Sequence, residues 1–152
     1  MIDQVDKLSS TYLAAPQRFE AGTPNVAGAV ALKEAIEFVE EIGLEKINQH
    51  EIDLTNYCQE RLGDIPGLQI VGQSTSKVNV FSFNIEGVHH SDLSQILDQQ
   101  AIAVRAGHHC NQLIMKKFGI AGTVRASFSV YNSKTDVDAL YEGIRKAREM
   151  LL

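Results

Sequence analysis

A change of periodicity near the C-terminus constrains the fold more than any other feature of this sequence. From Thr123 to Val130 apolar and polar residues alternate, as in a strand with one buried face. The apolar phase comprises Val124, Ala126, Phe128 and Val130. Apolar residues then recur with the spacing of an amphipathic helix at Val137, Leu140, Ile144, Ala147 and Leu151. A strand and a helix with one apolar face each predict a sheet covered by helices.

The rest of the pattern predicts the same architecture. Ser133 and Asp136 are spaced as a capping box at the start of the last helix. Cys58 lies on the apolar side of its helix and is predicted to be a core residue. Helices are predicted at 3–13, 25–42, 44–62, from N-cap Ser91 onward and at 112–118, and strands at 68–71, 77–85 and 101–104. The predicted fold class is α+β, with one small sheet covered on one face by helices.

Length, charge and cysteine content limit the classes of function. A chain of 152 residues is long enough for one domain with a core. The net charge of −5 and the dispersed basic residues argue against a nucleic-acid partner. No apolar run has membrane-spanning length and no signal peptide is evident, so no membrane partner is predicted. Two cysteines do not make a disulfide framework, which favours the reducing cytoplasm.

One segment, Arg105-Ala106-Gly107-His108-His109-Cys110, carries most of the reactive side chains. Gly107 permits a sharp turn after the preceding apolar run. A thiol becomes a good nucleophile when neighbouring cations favour the thiolate, and an arginine and two histidines surround this one. The residues alone leave open whether Cys110 is reactive or a small buried hydrophobe. A metal site is not predicted, because adjacent residues seldom converge on one ion.

Two further positions have both a structural and a functional interpretation. Arg125 lies on the polar phase of its strand, where its guanidinium suits a carboxylate or simply an exposed face. Gly22 and Thr23 precede Pro24, so Thr23 can be an N-cap with Pro24 at the first helical position. The same Gly-Thr pair can alternatively offer N–H groups and a hydroxyl to a phosphate.

Three separated motifs occur in a fixed order along the chain. They are RFEAGTPN at 18–25, VRAGHHC at 104–110 and VRASFSVYNSKTDVD at 124–138. Together they resemble the C-terminal part of a SufS/CsdA-type (group II) cysteine desulfurase of the class V aminotransferase family. The resemblance implies the small C-terminal domain of a pyridoxal-phosphate (PLP) enzyme of fold type I. It extends along essentially the whole chain.

The resemblance implies a reaction and its partners. PLP serves as the electron sink while a cysteine thiolate attacks the sulfur of L-cysteine, so that alanine leaves and a persulfide remains on the enzyme. Selenocysteine is a second substrate in some members. A homodimer is implied, together with a SufE/CsdE-like acceptor protein that passes the sulfur to iron–sulfur cluster assembly.

The resemblance also implies roles for individual residues. Cys110 would form the persulfide, Arg125 would bind the substrate carboxylate, and Arg105 would help to shape substrate binding beside the nucleophile. Two residues, Gly22 and Thr23, would contact the PLP phosphate in the partner subunit. The remaining two, His108 and His109, would line the active-site loop without serving as the general base.

One departure from the family concerns the cofactor lysine. Relatives carry it in a Ser-x-His-Lys context, which is absent from this sequence. We therefore expect residues 1–24 to be a connecting segment with an active-site loop, residues 25–152 to be the small domain, and the large PLP-lysine domain to be absent. Two alternatives remain: a non-catalytic module that binds a sulfur acceptor or partner subunit, and a thiol hydrolase that pairs Cys110 with His108 or His109.

Overall fold

The computed structural model describes residues 1–74 and 77–152, which form two compact units, 1–44 and 45–152. The first unit contains strands β1 (Ile2–Val5) and β2 (Ser10–Tyr12), a 3-10 helix (Gln17–Phe19) and helix α1 (Val26–Ile42). The second contains β3 (Leu68–Val71), β4 (Val80–Ile85), α3 (His90–Asp98), β5 (Arg105–Gly107), α4 (Gln112–Phe118), β6 (Thr123–Ser127) and α5 (Lys134–Leu151). Helix α2 (Leu44–Gly63) also belongs to the second unit, apart from its first residue. No described helix is both long and apolar enough to cross a bilayer.

The second unit is built on an antiparallel sheet in the order β3-β4-β6-β5. Alternate residues of β4 are buried, β6 is buried at Thr123, Val124 and Ala126, and Phe81, Phe83 and Val124 have no exposed surface. The helices α2, α3 and α5 fill the same core through Leu54, Cys58, Leu62, Leu93, Leu97, Val137, Leu140, Ile144 and Ala147. The predicted α+β architecture, with helices over one face of a small sheet, is confirmed.

Local sequence signals determine several elements as predicted. The N–H of Ser133 donates to the carboxylate of Asp136 at 2.7 Å, which closes the capping box and lowers the pKa of that carboxyl. Helix α4 ends at Gly119, whose φ of +67° is the left-handed conformation that glycine adopts most easily. Cys58 is fully buried, and burial raises its pKa to about 12.

The first unit differs from the prediction in two ways. The helix predicted at 3–13 is wrong: β1 and β2 pair antiparallel instead, because a short segment with Ile2, Val5 and Tyr12 suits paired strands better than an isolated helix. Thr23 is not the N-cap of α1; the side chain of Asn25 accepts the N–H of Gly28 at 2.9 Å. Helix α1 has no buried residue, so its apolar side chains stay exposed at Val26, Val30, Leu32, Ile36, Phe38 and Val39.

Three element boundaries in the second unit also differ, because strand pairing decides them. The ladder between β4 and β6 begins at the pair Val80–Ser127, so the strands predicted at 77–85 and 123–130 are shorter. The strand predicted at 101–104 is wrong, since Ala101, with φ of +59°, belongs to the turn that ends α3. The strand begins at Arg105, where pairing with β6 begins.

The sequence prediction also missed the N-cap of α3. His89 occupies the N-cap position, and its Nδ1 accepts the N–H of Ser91 at 3.3 Å. Ser91, the predicted N-cap, therefore lies inside the first turn of the helix. An imidazole nitrogen can take the acceptor role for which serine or aspartate is usually expected.

A glycine lets α5 approach the turn after α3. A Cβ atom at Gly143 would lie 2.3 Å from Cδ1 of Ile102 and 3.0 Å from Cδ2 of Leu97. We expect Gly143→Ala to lower the free energy of unfolding by about 1 kcal/mol, because overpacking of roughly 1–3 kcal/mol exceeds the helix-propensity gain of about 1 kcal/mol. Gly63→Ala is the control for urea unfolding, since nothing lies within 4 Å of its added Cβ. Equal stabilities of the two variants would contradict the packing argument.

Candidate active site

Strands β5 and β6 bring two arginines face to face at the edge of the sheet. Their register pairs Arg105 with Arg125 and Gly107 with Thr123. Directly opposed residues share one face of an antiparallel pair, and this face is opposite to the one that carries buried Val124. Like charges in opposed positions are unfavourable, and a bound anion removes that penalty. The pair therefore suits a planar anion such as a carboxylate.

The guanidinium of Arg125 has an unused donor. Arg125 is half-buried, and its Nε is shielded from solvent without a hydrogen-bond acceptor among the described residues. Leaving a buried donor unpaired costs roughly 1–3 kcal/mol. A ligand oxygen at this position would satisfy the donor, which is a second reason to regard Arg125 as an anion-binding side chain.

Cys110 lies beside Arg105 of this pair and is exposed. Its Sγ is 3.7 Å from Nη2 of Arg105. At that distance the contact is weak, but the guanidinium can balance the negative charge of a thiolate. An exposed thiol next to a guanidinium is a suitable nucleophile for a substrate that enters from solvent.

The loop that carries the thiol has an unusual backbone. His109 and Cys110 have φ values of +51° and +61°, and Gly107 has +119°. For residues with a Cβ the left-handed conformation costs roughly 1–2 kcal/mol each, so the surrounding structure must impose it. Strain of this kind commonly accompanies functional loops.

His109 connects the loop to the sheet. Its Nε2 lies 2.9 Å from Oγ1 and 3.2 Å from the carbonyl oxygen of Thr123, a residue with no exposed surface. The carbonyl can only accept, so we assign the proton to Nε2. Nδ1 is then a buried acceptor without a partner among the described residues. Burial, and then the charge of Arg125, lower the pKa of His109.

The free energy of unfolding is expected to decrease as the pH is lowered from about 7 to about 5. Burial lowers the pKa of both His109 and His90 in the folded chain, whereas unfolded imidazoles titrate near about 6.5. The unfolded chain therefore binds more protons below about pH 6.5, and stability is lost as the pH falls through that value. Urea unfolding across this range measures the slope. His109→Gln and His90→Gln should each reduce it, and an unchanged slope in both variants would contradict the assignment.

Gly122 contributes to the site although the sequence prediction did not single it out. A Cβ at this position would lie 2.9 Å from the carbonyl carbon of Gly107 and 2.6 Å from Nε2 of His90. The carbonyl oxygen of Gly122 accepts a hydrogen bond from Nδ2 of Asn84 at 2.9 Å. Only glycine therefore lets the backbone of the thiol loop approach the start of β6 so closely. In the sequence, the signal for this role was a glycine directly before a strand in which apolar and polar residues alternate.

The structure thus brings together four of the predicted site residues, Arg105, His109, Cys110 and Arg125. His108 is in the same loop, and its exposed side chain makes no hydrogen bond among the described residues. Within residues 1–74 and 77–152, no group of three or more histidine, cysteine, aspartate or glutamate side chains could hold a metal ion.

Gly22 and Thr23 lie in the first unit, in the loop before α1. Both are exposed, and Gly22 has φ of +81° with nothing within 4 Å of a potential Cβ. Their backbone N–H groups and the Thr23 hydroxyl make no hydrogen bond within the described part of the chain. Unused N–H groups in a loop with a left-handed glycine fit a phosphate, so these residues are compatible with the phosphate of PLP.

An exposed thiol next to one of two facing arginines provides the side chains for thiol chemistry on an anionic ligand. Comparison with known proteins gives the family. Residues 1–140 match the Aminotransferase class-V family model. The chain belongs to the class V aminotransferase family.

The similar proteins are named as cysteine desulfurases. The chain is 46% identical over 149 residues to a probable cysteine desulfurase of Halalkalibacterium halodurans, and 45% identical over 150 residues to one of Streptomyces coelicolor. These alignments cover 98% and 97% of the chain but only 36% of each relative. The chain therefore spans about a third of the length of the curated relatives it matches.

Solved structures agree with this assignment. The cysteine desulfurase CsdA of Escherichia coli superposes with a TM-score of 0.88 at 36% identity, over 100% of this chain and 38% of that one. A cysteine desulfurase of Thermococcus onnurineus superposes with a TM-score of 0.84 at 39% identity, over 99% of this chain and 37% of that one. The fold is that of the corresponding part of these enzymes, which is consistent with fold type I.

Proposed function

We propose that this chain is the C-terminal small domain of a PLP-dependent cysteine desulfurase, here called the parent protein. The observation that carries the proposal is the exposed thiol of Cys110, 3.7 Å from the guanidinium of Arg105, which faces Arg125 across the strand ladder. This arrangement unites a nucleophile with an anion-binding pair. The names of the similar proteins support the same reaction.

The residues of this chain would act as follows. Arg125 binds the substrate carboxylate through its two-pronged guanidinium, and Arg105 balances charge beside the thiol. The thiolate of Cys110 attacks the substrate sulfur, so that an S–S bond forms as the C–S bond breaks. The electron pair of the broken bond goes to the substrate carbon, which takes up a proton, and alanine is released after the sulfur has been transferred. PLP supplies the electron sink for C–S cleavage when it is bound. Gly22 and Thr23 would hold its phosphate.

Finer assignments extend this proposal. The substrate is L-cysteine, with selenocysteine as a second substrate of the same chemistry. The parent protein acts as a homodimer in which Gly22 and Thr23 serve the cofactor of the partner subunit. A SufE/CsdE-like acceptor protein removes the persulfide sulfur for iron–sulfur cluster assembly. The compartment is the cytoplasm, where Cys58 and Cys110 remain reduced.

The test follows alanine and bound sulfur together. The PLP-loaded parent protein is incubated with L-cysteine, and mass spectrometry then locates added sulfur on its peptides. We expect alanine to form, with one extra sulfur atom on the peptide that contains Cys110. Alanine without sulfur on that peptide would reject the nucleophile assignment. Absence of alanine with intact acceptor binding would favour the non-catalytic module.

The 152-residue chain by itself is expected not to turn over cysteine. Its lysines lie outside the Ser-x-His-Lys context of the family. An absorbance scan with added PLP should show no stoichiometric band from a lysine-bound cofactor. A clear band would show that a lysine of this chain serves the cofactor.

A further inference from the structure

The conformation of the thiol loop requires a determinant outside the loop. His109 and Cys110 are consecutive residues with positive φ, a combination that residues with a Cβ do not adopt without support. Within the loop, the N–H of Asn111 donates to the carbonyl of His108 at 2.8 Å, which closes a turn but links it to nothing else. The contact from Arg105 to the thiol is long, and that arginine is exposed. Neither contact fixes the loop relative to the sheet.

The contact between His109 and Thr123 can fix the thiol loop relative to the sheet. It joins residues fourteen positions apart, at 2.9 Å to the hydroxyl and 3.2 Å to the carbonyl. Thr123 is fully buried and is paired with Gly107 across the ladder. A side chain held by a buried strand residue is a rigid support, whereas a contact to another loop would move with that loop.

Thr123 also determines which side chains share the site. It lies two residues before Arg125, so both project from the same face of β6. An anchor on Thr123 therefore sets the position of the neighbouring Cys110 relative to the guanidinium of Arg125. His108 provides the contrast, because its exposed side chain makes no hydrogen bond among the described residues.

We propose that His109 is a positioning residue: through its contact with Thr123 it imposes the left-handed backbone at His109 and Cys110 and thereby places the thiol beside Arg105 and Arg125. The inference rests on the proposed function for the identity of Cys110 as nucleophile. The imidazole itself transfers no proton in the reaction. Its role is to hold the loop in place before substrate binds.

The first test measures backbone hydrogen exchange in the 152-residue chain by NMR. Exchange of the Asn111 N–H, which donates to the carbonyl of His108, should become at least about tenfold faster in His109→Ala, because the loop opens more often without its anchor. It should also become faster in Thr123→Val, which loses the 2.9 Å contact to the hydroxyl and keeps the contact to the carbonyl. Thr123→Ser retains the hydroxyl and should exchange like the wild type, as should His108→Ala. Exchange in His109→Ala no faster than in His108→Ala would overturn the proposal. If His109→Ala does not fold, the comparison of Thr123→Val with Thr123→Ser decides alone.

The second test separates positioning from binding in the PLP-loaded parent protein. Thr123→Val should lower kcat by roughly tenfold while the KM for L-cysteine changes less than about twofold, and Thr123→Ser should restore kcat. A rise in KM with unchanged kcat would overturn the proposal. The two ideas can fail independently. A parent protein that makes no alanine would refute the proposed function, whereas hydrogen exchange tests the anchor without turnover.

Discussion

Cys110→Ser is expected to abolish formation of both alanine and protein-bound persulfide by the parent protein. The serine hydroxyl cannot form the S–S bond that retains the substrate sulfur, and it does not ionise near neutral pH. Loss of an essential nucleophile costs roughly 10³-fold or more in kcat. Alanine release under saturating L-cysteine, with bound sulfur measured on the protein, gives both readouts.

The other cysteine provides a control for this substitution. Cys58 is fully buried in the core of the second unit, and burial raises its pKa to about 12, so it is unsuited to attack a substrate. Cys58→Ala should lose some stability and retain persulfide formation. Persistent desulfuration of free cysteine by Cys110→Ser, or sulfur found on Cys58, would refute the nucleophile assignment.

The sequence predicted those elements of the fold that local periodicity determines. The stripe that includes Val137 and Ile144 and the capping box at Ser133 identify α5 without knowledge of the rest of the chain. The strand at Arg105–Gly107 could not be located in this way, because its limits depend on pairing with β6. The N-terminal hairpin was missed for a related reason: its two short strands have a helix-compatible pattern, and only their mutual pairing distinguishes them.

The candidate site likewise has residues that local sequence predicts and contacts that only the tertiary structure reveals. Residue chemistry and neighbours were enough to select Cys110, Arg105 and Arg125 as candidates. The support of the loop was not visible, because the contact of His109 with Thr123 spans fourteen positions and depends on two strands being in register. Sequence reasoning could place His109 only in the loop. Its role follows from the tertiary contact with Thr123.

Arg125→Ala is expected to lower kcat/KM for L-cysteine by roughly 10²-fold in the parent protein. A guanidinium binds a carboxylate through two charge-assisted hydrogen bonds, each worth roughly 1.5–3 kcal/mol, and a tenfold loss corresponds to about 1.4 kcal/mol. The unpaired, buried Nε is the structural reason to expect this contact. Initial rates of alanine formation over a range of cysteine concentrations measure kcat and KM. Most of the loss should appear in KM, because the carboxylate is bound before and after the sulfur is transferred.

Arg125→Lys and Arg105→Ala separate geometry from charge in this site. Arg125→Lys retains the charge and loses the planar fork, so its kcat/KM should lie between those of the wild type and Arg125→Ala. Arg105 is exposed and its Nη2 is 3.7 Å from the sulfur of Cys110, so Arg105→Ala should reduce kcat more than it raises KM. The two arginines face each other across one ladder, yet we expect them to serve different atoms of the substrate complex. A KM that rises less than about threefold in Arg125→Ala would show that the carboxylate is bound elsewhere.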